Sequence, residues 1–197
     1  PSICILPNGD YLVSHDEAGA GTVGYPNITR IYRSADKGLT WTRISSIIGG
    51  QTWSNIFRLN NDVYVMGVIA PISNCIIRKS TDNGVTFTEN LDANNGLLIP
   101  WRCHTGPTPM VIFNNRIWRG MEVKNPSIDI WPKQYNAMIM SAPLGSDLMK
   151  SSSWTKSNQL EFNSTYLDGN FGGWLEGNAV YDKSGKMKIA MRVEVPG

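Results

Sequence analysis

Arg192 closes an alternating apolar run, Met187 to Val193, and Glu176 lies 16 positions ahead of it in Gly173-Trp174-Leu175-Glu176-Gly177-Asn178. A guanidinium fork can hold a carboxylate bidentately, and a carboxylate can take a proton from a neighbouring hydroxyl. Two more charged residues share the relative position of Arg192. With the turn residues Gly9, Asn61, Asn115 and Gly185 aligned, the seventh residue downstream is Asp16, Val68, Glu122 and Arg192. Charge at the end of an apolar strand is costly to bury unpaired. Asp16, Glu122 and Arg192 are therefore expected to face a wet cavity or one another, unless they form an ordinary ion-paired rim. His104, in Trp101-Arg102-Cys103-His104, and His15, beside Asp16 and Glu17, carry imidazoles, a group that in its unperturbed form can move protons near neutral pH, although a lone loop histidine is more often structural. Trp101, Trp118, Trp131 and Trp174 could stack on sugar rings or simply fill the core. Trp174, which flanks Glu176, and Trp101, in its loop, are the two singled out for binding.

Other chemistries find no support. The chain has no H-E-x-x-H, no glycine-rich phosphate loop and no G-x-S-x-G elbow. Its three cysteines, Cys4, Cys75 and Cys103, have no C-x-x-C spacing, so a thiolate zinc site has little support; no metal ligands and no cofactor are assigned. Cys4 and Cys75 sit in apolar runs as buried free thiols would, although one bridge could form. The net charge of +2 over 197 residues is unclustered, which speaks against nucleic-acid binding. No apolar run approaches the roughly 18 residues of a membrane-spanning helix. Two sequons, Asn27-Ile28-Thr29 and Asn163-Ser164-Thr165, would matter only in a eukaryotic secreted protein.

The candidate residues need elements to hold them. Four segments read as strand, turn, strand: Ser2 to Ser14, Trp53 to Val68, Pro107 to Glu122 and Asn178 to Val193. Alternation is plain in the last, where Met187, Ile189 and Met191 oppose Lys186, Lys188 and Ala190. Between them an octapeptide recurs. Ser34-Ala35-Asp36-Lys37-Gly38-Leu39-Thr40-Trp41 returns as Ser80-Thr81-Asp82-Asn83-Gly84-Val85-Thr86-Phe87. Each copy follows a β-rich run, Asn27 to Arg33 and Cys75 to Lys79. An Asp that accepts loop amides, a Gly at positive φ and an aromatic anchor make a hairpin turn. Ser141 to Trp154 reads as a further hairpin whose box is broken by an insertion.

The octapeptide resembles the Asp box, or bacterial neuraminidase repeat, of sialidase-like β-propellers. The resemblance implies an all-β propeller of four-stranded antiparallel blades, six when complete, with the boxes peripheral and structural. This chain would hold about three and a half blades in a single propeller domain: approximately 1–50, 51–100, 101–160 and a half blade at 170–197. Such a number cannot close a ring. The chain is accordingly expected to be part of a longer polypeptide, or to be completed by another chain, and to aggregate when expressed alone.

The resemblance also suggests roles. In sialidases a glutamate that polarises the nucleophilic tyrosine precedes a strand–turn–strand unit ending in an arginine of the carboxylate-binding triad. Glu176 and Arg192 match these two. Pro1 to Leu12 resembles the segment after the first triad arginine, and Asp16 is the nearest candidate for the acid/base aspartate, in a local pattern that departs from the family's. The tyrosine and third arginine belong to later blades. The implied activity is retaining hydrolysis of a terminal acidic, sialic-acid-like sugar from a glycan, by a secreted, periplasmic or cell-surface protein. Glu176 and Asp16 would be catalytic, with Arg192, Glu122, His104, Trp101 and Trp174 binding substrate. A polysaccharide lyase using His104 or His15 with a Tyr, another exo-glycosidase, or a non-catalytic glycan-binding propeller remain open, because fold does not determine function.

Overall fold

The computed structural model describes residues 1–17, 28–49, 51–69 and 74–195. Asn27, Gly50, Pro196 and Gly197, which belong to expectations stated above, lie outside these residues. The described chain is all-β, with two short 3-10 turns, Ser151–Ser153 and Tyr166–Gly169. Among the described residues no helix is long and apolar enough to cross a membrane.

Four antiparallel sheets follow one another along the chain. The first orders β1 (Ser2–Ile5), β2 (Tyr11–Glu17), β3 (Ile28–Ser34) and β4 (Thr42–Ile48) as 1-2-3-4. The second repeats that order with β5 (Gln51–Leu59), β6 (Asp62–Ile69), β7 (Cys75–Ser80) and β8 (Leu97–Ile99). In the third, β9 (Cys103–His104) and β10 (Val111–Phe113) both pair with β11 (Arg116–Lys124), which continues to β12 (Tyr135–Pro143) and β13 (Thr155–Lys156). The fourth is a hairpin of β14 (Gly173–Tyr181) and β15 (Met187–Glu194).

Alternation explains how the sheets stack. In β6, Val63 and Val65 pack with Leu12, Ile31 and Ile56 on the side of the first sheet. The intervening Tyr64, Met66 and Val68 pack with Met121, Met138 and Met140 of the third. Both faces of β6 are thus buried, and each fully buried aliphatic side chain contributes about 1.5–3 kcal/mol. The chain is a run of stacked antiparallel sheets, two of them complete with four strands in sequence order, the architecture of a β-propeller.

The two octapeptides form the same turn. Ser34 Oγ and Ser80 Oγ each accept the glycine amide, from Gly38 and Gly84, at 2.8 Å. Asp36 accepts the amide and hydroxyl of Thr40 at 2.8 and 2.5 Å, and Asp82 those of Thr86 at 2.9 and 2.6 Å. These bonds favour the ionised carboxyl and lower both aspartates to about 2. The backbone is left-handed at Lys37–Gly38 and at Asn83–Gly84. In the broken third copy, Ser141 Oγ is instead bonded by Arg116 Nε at 3.0 Å, and β13 still pairs with β12.

Two strand boundaries differ from expectation, each for a backbone reason. The third sheet's inner strand begins at Val111, not Pro107. Pro107 and Pro109 lack amides for a ladder, so the strand breaks into β9 and β10, and residues 105–108 are held from below by Arg119. In the fourth sheet the strand begins earlier, at Gly173, so Glu176 lies within β14 and not ahead of it. It sits in a bulge between Leu175 and Asn178.

Candidate active site at the ends of the inner strands

Glu176 is unusual before its chemistry is considered. Its φ is +54°, a left-handed conformation that side-chain-bearing residues rarely adopt. The bulge aims its carboxylate at the neighbouring strand, where Oε1 lies 3.3 Å from Arg192 Nη1. Arg192 is opposite Leu175 in the β14–β15 register, and its other Nη is bonded by Glu194. Glu176 first, then Glu194, raises the guanidinium pKa above its ordinary value. All three side chains are about one-third to one-half exposed, so the ion pairs add little stability and leave the groups within reach of a ligand.

Glu122 does not face a wet cavity, or Asp16 or Arg192, as expected. It is fully buried. One oxygen accepts the amide of Gly177 at 2.7 Å, and the other lies 2.8 Å from His104 Nδ1. With Glu122 ionised its oxygens only accept, and the His104 tautomer that fits carries its proton on Nδ1. His104 is itself 3% exposed, closed in by Trp53 (4.8 Å between centroids), Tyr135 (5.3 Å) and Trp131 (5.5 Å). A buried carboxylate with both oxygens partnered is stable where an open one would be solvated. Neither Glu122 nor His104 presents a free face to substrate.

Asp16 lies against the second sheet. Its carboxylate accepts the Thr29 hydroxyl at 2.9 Å and the Ser54 amide at 3.4 Å, and burial raises its pKa above the usual carboxylate range. His15 stacks on Tyr32, and Glu17 pairs with Arg30 at 2.6 Å. Trp101 is half-exposed, its indole bonded to the Lys124 carbonyl at 2.9 Å. Trp174 packs on Phe171 at 4.5 Å and helps to line a surface cleft of about 310 Å³ with Leu160, Tyr166, Leu167 and Val193.

Contacts run continuously from Asp16 through Ser54 and Trp53 to His104, Glu122, Gly177, Glu176 and Arg192. Trp53, Arg119, Tyr135 and Glu194 were not among the residues expected at the site. Trp53 had a signal: Trp53-Ser54-Asn55 and Glu176-Gly177-Asn178 both place a small residue and an Asn after the exceptional residue. Trp53 has φ +49° in a bulge between Thr52 and Asn55. The side-chain oxygens of Asn55 and Asn178 are both buried without a partner.

No protein-family model matches the chain, and no curated protein matches it. Solved structures do, at the level of fold. The chain is similar to a Trypanosoma rangeli sialidase in complex with sialic acid, with a TM-score of 0.68 and 12% identity over 97% of this chain and 28% of that one. It is also similar to a Penicillium chrysogenum α-L-arabinanase complexed with arabinobiose (TM-score 0.55, 16% identity, 98% and 56%). An ulvan lyase from a new family of polysaccharide lyases matches likewise (TM-score 0.59, 14% identity, 97% and 50%). The likeness is one of fold, a β-propeller that the sialidase, the arabinanase and the lyase share with this chain, and the chain spans 28% of the sialidase's length.

Proposed function

We propose that this propeller is a glycan-active enzyme, a glycoside hydrolase of the sialidase type that releases a terminal acidic sugar. The observation that carries the proposal is the Glu176–Arg192 pair, presented on adjacent strands by a strained bulge. Backbone strain of this kind tends to gather at functional sites. In this reading Glu176 draws the proton from a tyrosine nucleophile supplied elsewhere in the ring, and Arg192 holds the substrate carboxylate. Asp16 is the proton donor, and its raised pKa suits a group that must hold a proton before giving it up. Trp101 and Trp174 flank the sugar. A secreted or surface location follows from a glycan substrate.

One observation favours a second reading. Both Nη atoms of Arg192 are already engaged, by Glu176 and Glu194. A substrate carboxylate would bring a third negative charge to this one guanidinium, whereas a neutral sugar would not. Two carboxylates bridged by one cation also suit an exo-glycosidase that works through a carboxylate pair. The lyase reading loses His104, which is buried and bonded, and rests on His15, which is half-buried and stacks on Tyr32.

The test is a panel of fluorogenic glycosides, with sialosides and arabinofuranosides in parallel, on the polypeptide that carries this sequence. Sialoside turnover lost in both Glu176→Gln and Arg192→Ala supports the first reading. Arabinofuranoside turnover that survives Arg192→Lys supports the second. No turnover of any glycoside, with glycan binding intact, would leave a binding propeller.

A further inference from the structure

We propose that Glu122 is a positioning residue for Glu176. Reaching across from the third sheet, it clasps the Gly177 amide and holds the bulge that turns Glu176 outward.

The need for such a clasp follows from the backbone. A left-handed residue that bears a side chain persists only where its surroundings hold it. The bulge between Leu175 and Asn178 takes Glu176 and Gly177 out of the β14–β15 ladder, so the Gly177 amide has no strand partner. Glu122 Oε1 supplies one at 2.7 Å. Because Glu122 is fully buried, water does not compete for that bond, and its loss would leave a buried donor unsatisfied. His104 Nδ1 fixes the second carboxylate oxygen, and the rings around His104 keep it in place. The other flank of Glu176 is bounded by Gly106, where a Cβ would come within 3.1 Å of Glu176 Cβ. The Gly106 carbonyl is in turn held by buried Arg119 at 2.6 Å.

The molecule contains the same device a second time. Asp16 occupies the place of Glu122 in its own hairpin, seven residues past the aligned turn position. It accepts the Ser54 amide, which directly follows left-handed Trp53 in the bulge of β5. In both cases a carboxylate at the end of one sheet's second strand caps the amide after the left-handed residue on the next sheet's inner strand. The Glu122 clasp is the tighter, 2.7 Å against 3.4 Å, and it serves the residue that carries the proposed chemistry.

The effect on turnover rests on Glu176 being the reacting carboxylate, as proposed above; the clasp does not. Three variants test it in the polypeptide that carries this sequence. Glu122→Gln keeps an acceptor oxygen for Gly177 and turns its NH2 to His104, whose neutral ring accepts by carrying its proton on Nε2. Glu122→Met keeps the volume and removes the acceptor. Glu122→Asp keeps the charge but withdraws it by roughly 1.5 Å, one carbon–carbon bond. Amide exchange at Gly177, followed by NMR, should match the parent in the Gln variant and be about tenfold faster or more in the Met and Asp variants. Crystal structures should keep Glu176 at positive φ only in the parent and Glu122→Gln. With a glycoside that is turned over, kcat should fall about tenfold or more in Met and Asp while KM stays within about threefold, and Gln should restore most of the rate. Should the Met variant fail to fold, the Asp and Gln variants carry the comparison. Gly177 exchange unchanged in Glu122→Asp overturns the proposal. Faster exchange in a parent-like fold that cleaves no glycoside supports the clasp and overturns the hydrolase reading alone.

Discussion

Glu176 combines strain with exposure, which gives its substitution a distinctive signature. Glu176→Gln preserves shape and removes charge, so its folding should change little. If the carboxylate is the proton acceptor, kcat should drop by about 10²–10⁴. Steady-state kinetics beside a melting curve would show this, and parent-like turnover would remove Glu176 from the chemistry. Two kinds of aspartate should respond oppositely to pH. Asp36 and Asp82 ionise at about 2 in the folded chain against an ordinary 3.8. They bind fewer protons folded than unfolded, so their contribution is present above about pH 4 and fades as pH falls towards 2. The double variant Asp36→Asn, Asp82→Asn should lose part of that acid dependence in denaturation curves. Asp16 is raised by burial, so the folded state holds its proton longer and stability declines as pH climbs from 3.8 through its folded value. Asp16→Asn should flatten that decline, and a decline of equal steepness would show that the carboxyl is better solvated than its contacts suggest.

At the scale of elements, the two octapeptide turns share their serine and aspartate hydrogen bonds and differ in packing. Gly38 and Gly84 both have positive φ, which costs an alanine about 1–2 kcal/mol in either place. A Cβ on Gly38 would meet only Trp41, at 3.6 Å, whereas one on Gly84 would come within 3.0 Å of Leu12 in the core between the first two sheets. Urea titration should find Gly84→Ala less stable than Gly38→Ala, and equal losses would mean that the second turn does not bear on the first sheet. The repeats that make these turns were legible in the residues, because every bond within them lies inside eight positions. The hairpins were legible too, through alternation and turn composition. The break between β9 and β10 was less so. Pro107 and Pro109 warned of it, but Arg119, which holds the broken segment, shows its role only when β11 is laid beside it.

At the scale of the molecule, the sheets differ in how well they are enclosed. The second sheet is covered on both faces, whereas the fourth is a two-stranded hairpin in which, among the described residues, only β14 pairs with β15. Two strands are marginal on their own. Hydrogen exchange should therefore find Met187–Glu194 opening well before Asp62–Ile69, and equal protection would point to further strands paired on β15. The sequence by itself determined the all-β class, the four hairpins and the twin turns, because their periodicity and turn chemistry are local. It also brought Glu176 and Arg192 into consideration together, one ahead of a hairpin and one near its end, although only the structure put Glu176 inside the strand. Only the tertiary structure decided what the charges at the strand ends do. Asp16, Glu122 and Arg192 share a register position and looked alike. Yet Glu122 is buried against Gly177, 55 positions away, Asp16 against Ser54, 38 away, and Arg192 stays in solvent between two carboxylates. Whether a charge is clasped or free depends on which backbone amide the neighbouring sheet leaves unpaired. That is settled by a bulge in a distant strand and by how the sheets stack, neither of which is written in the residues around the charge.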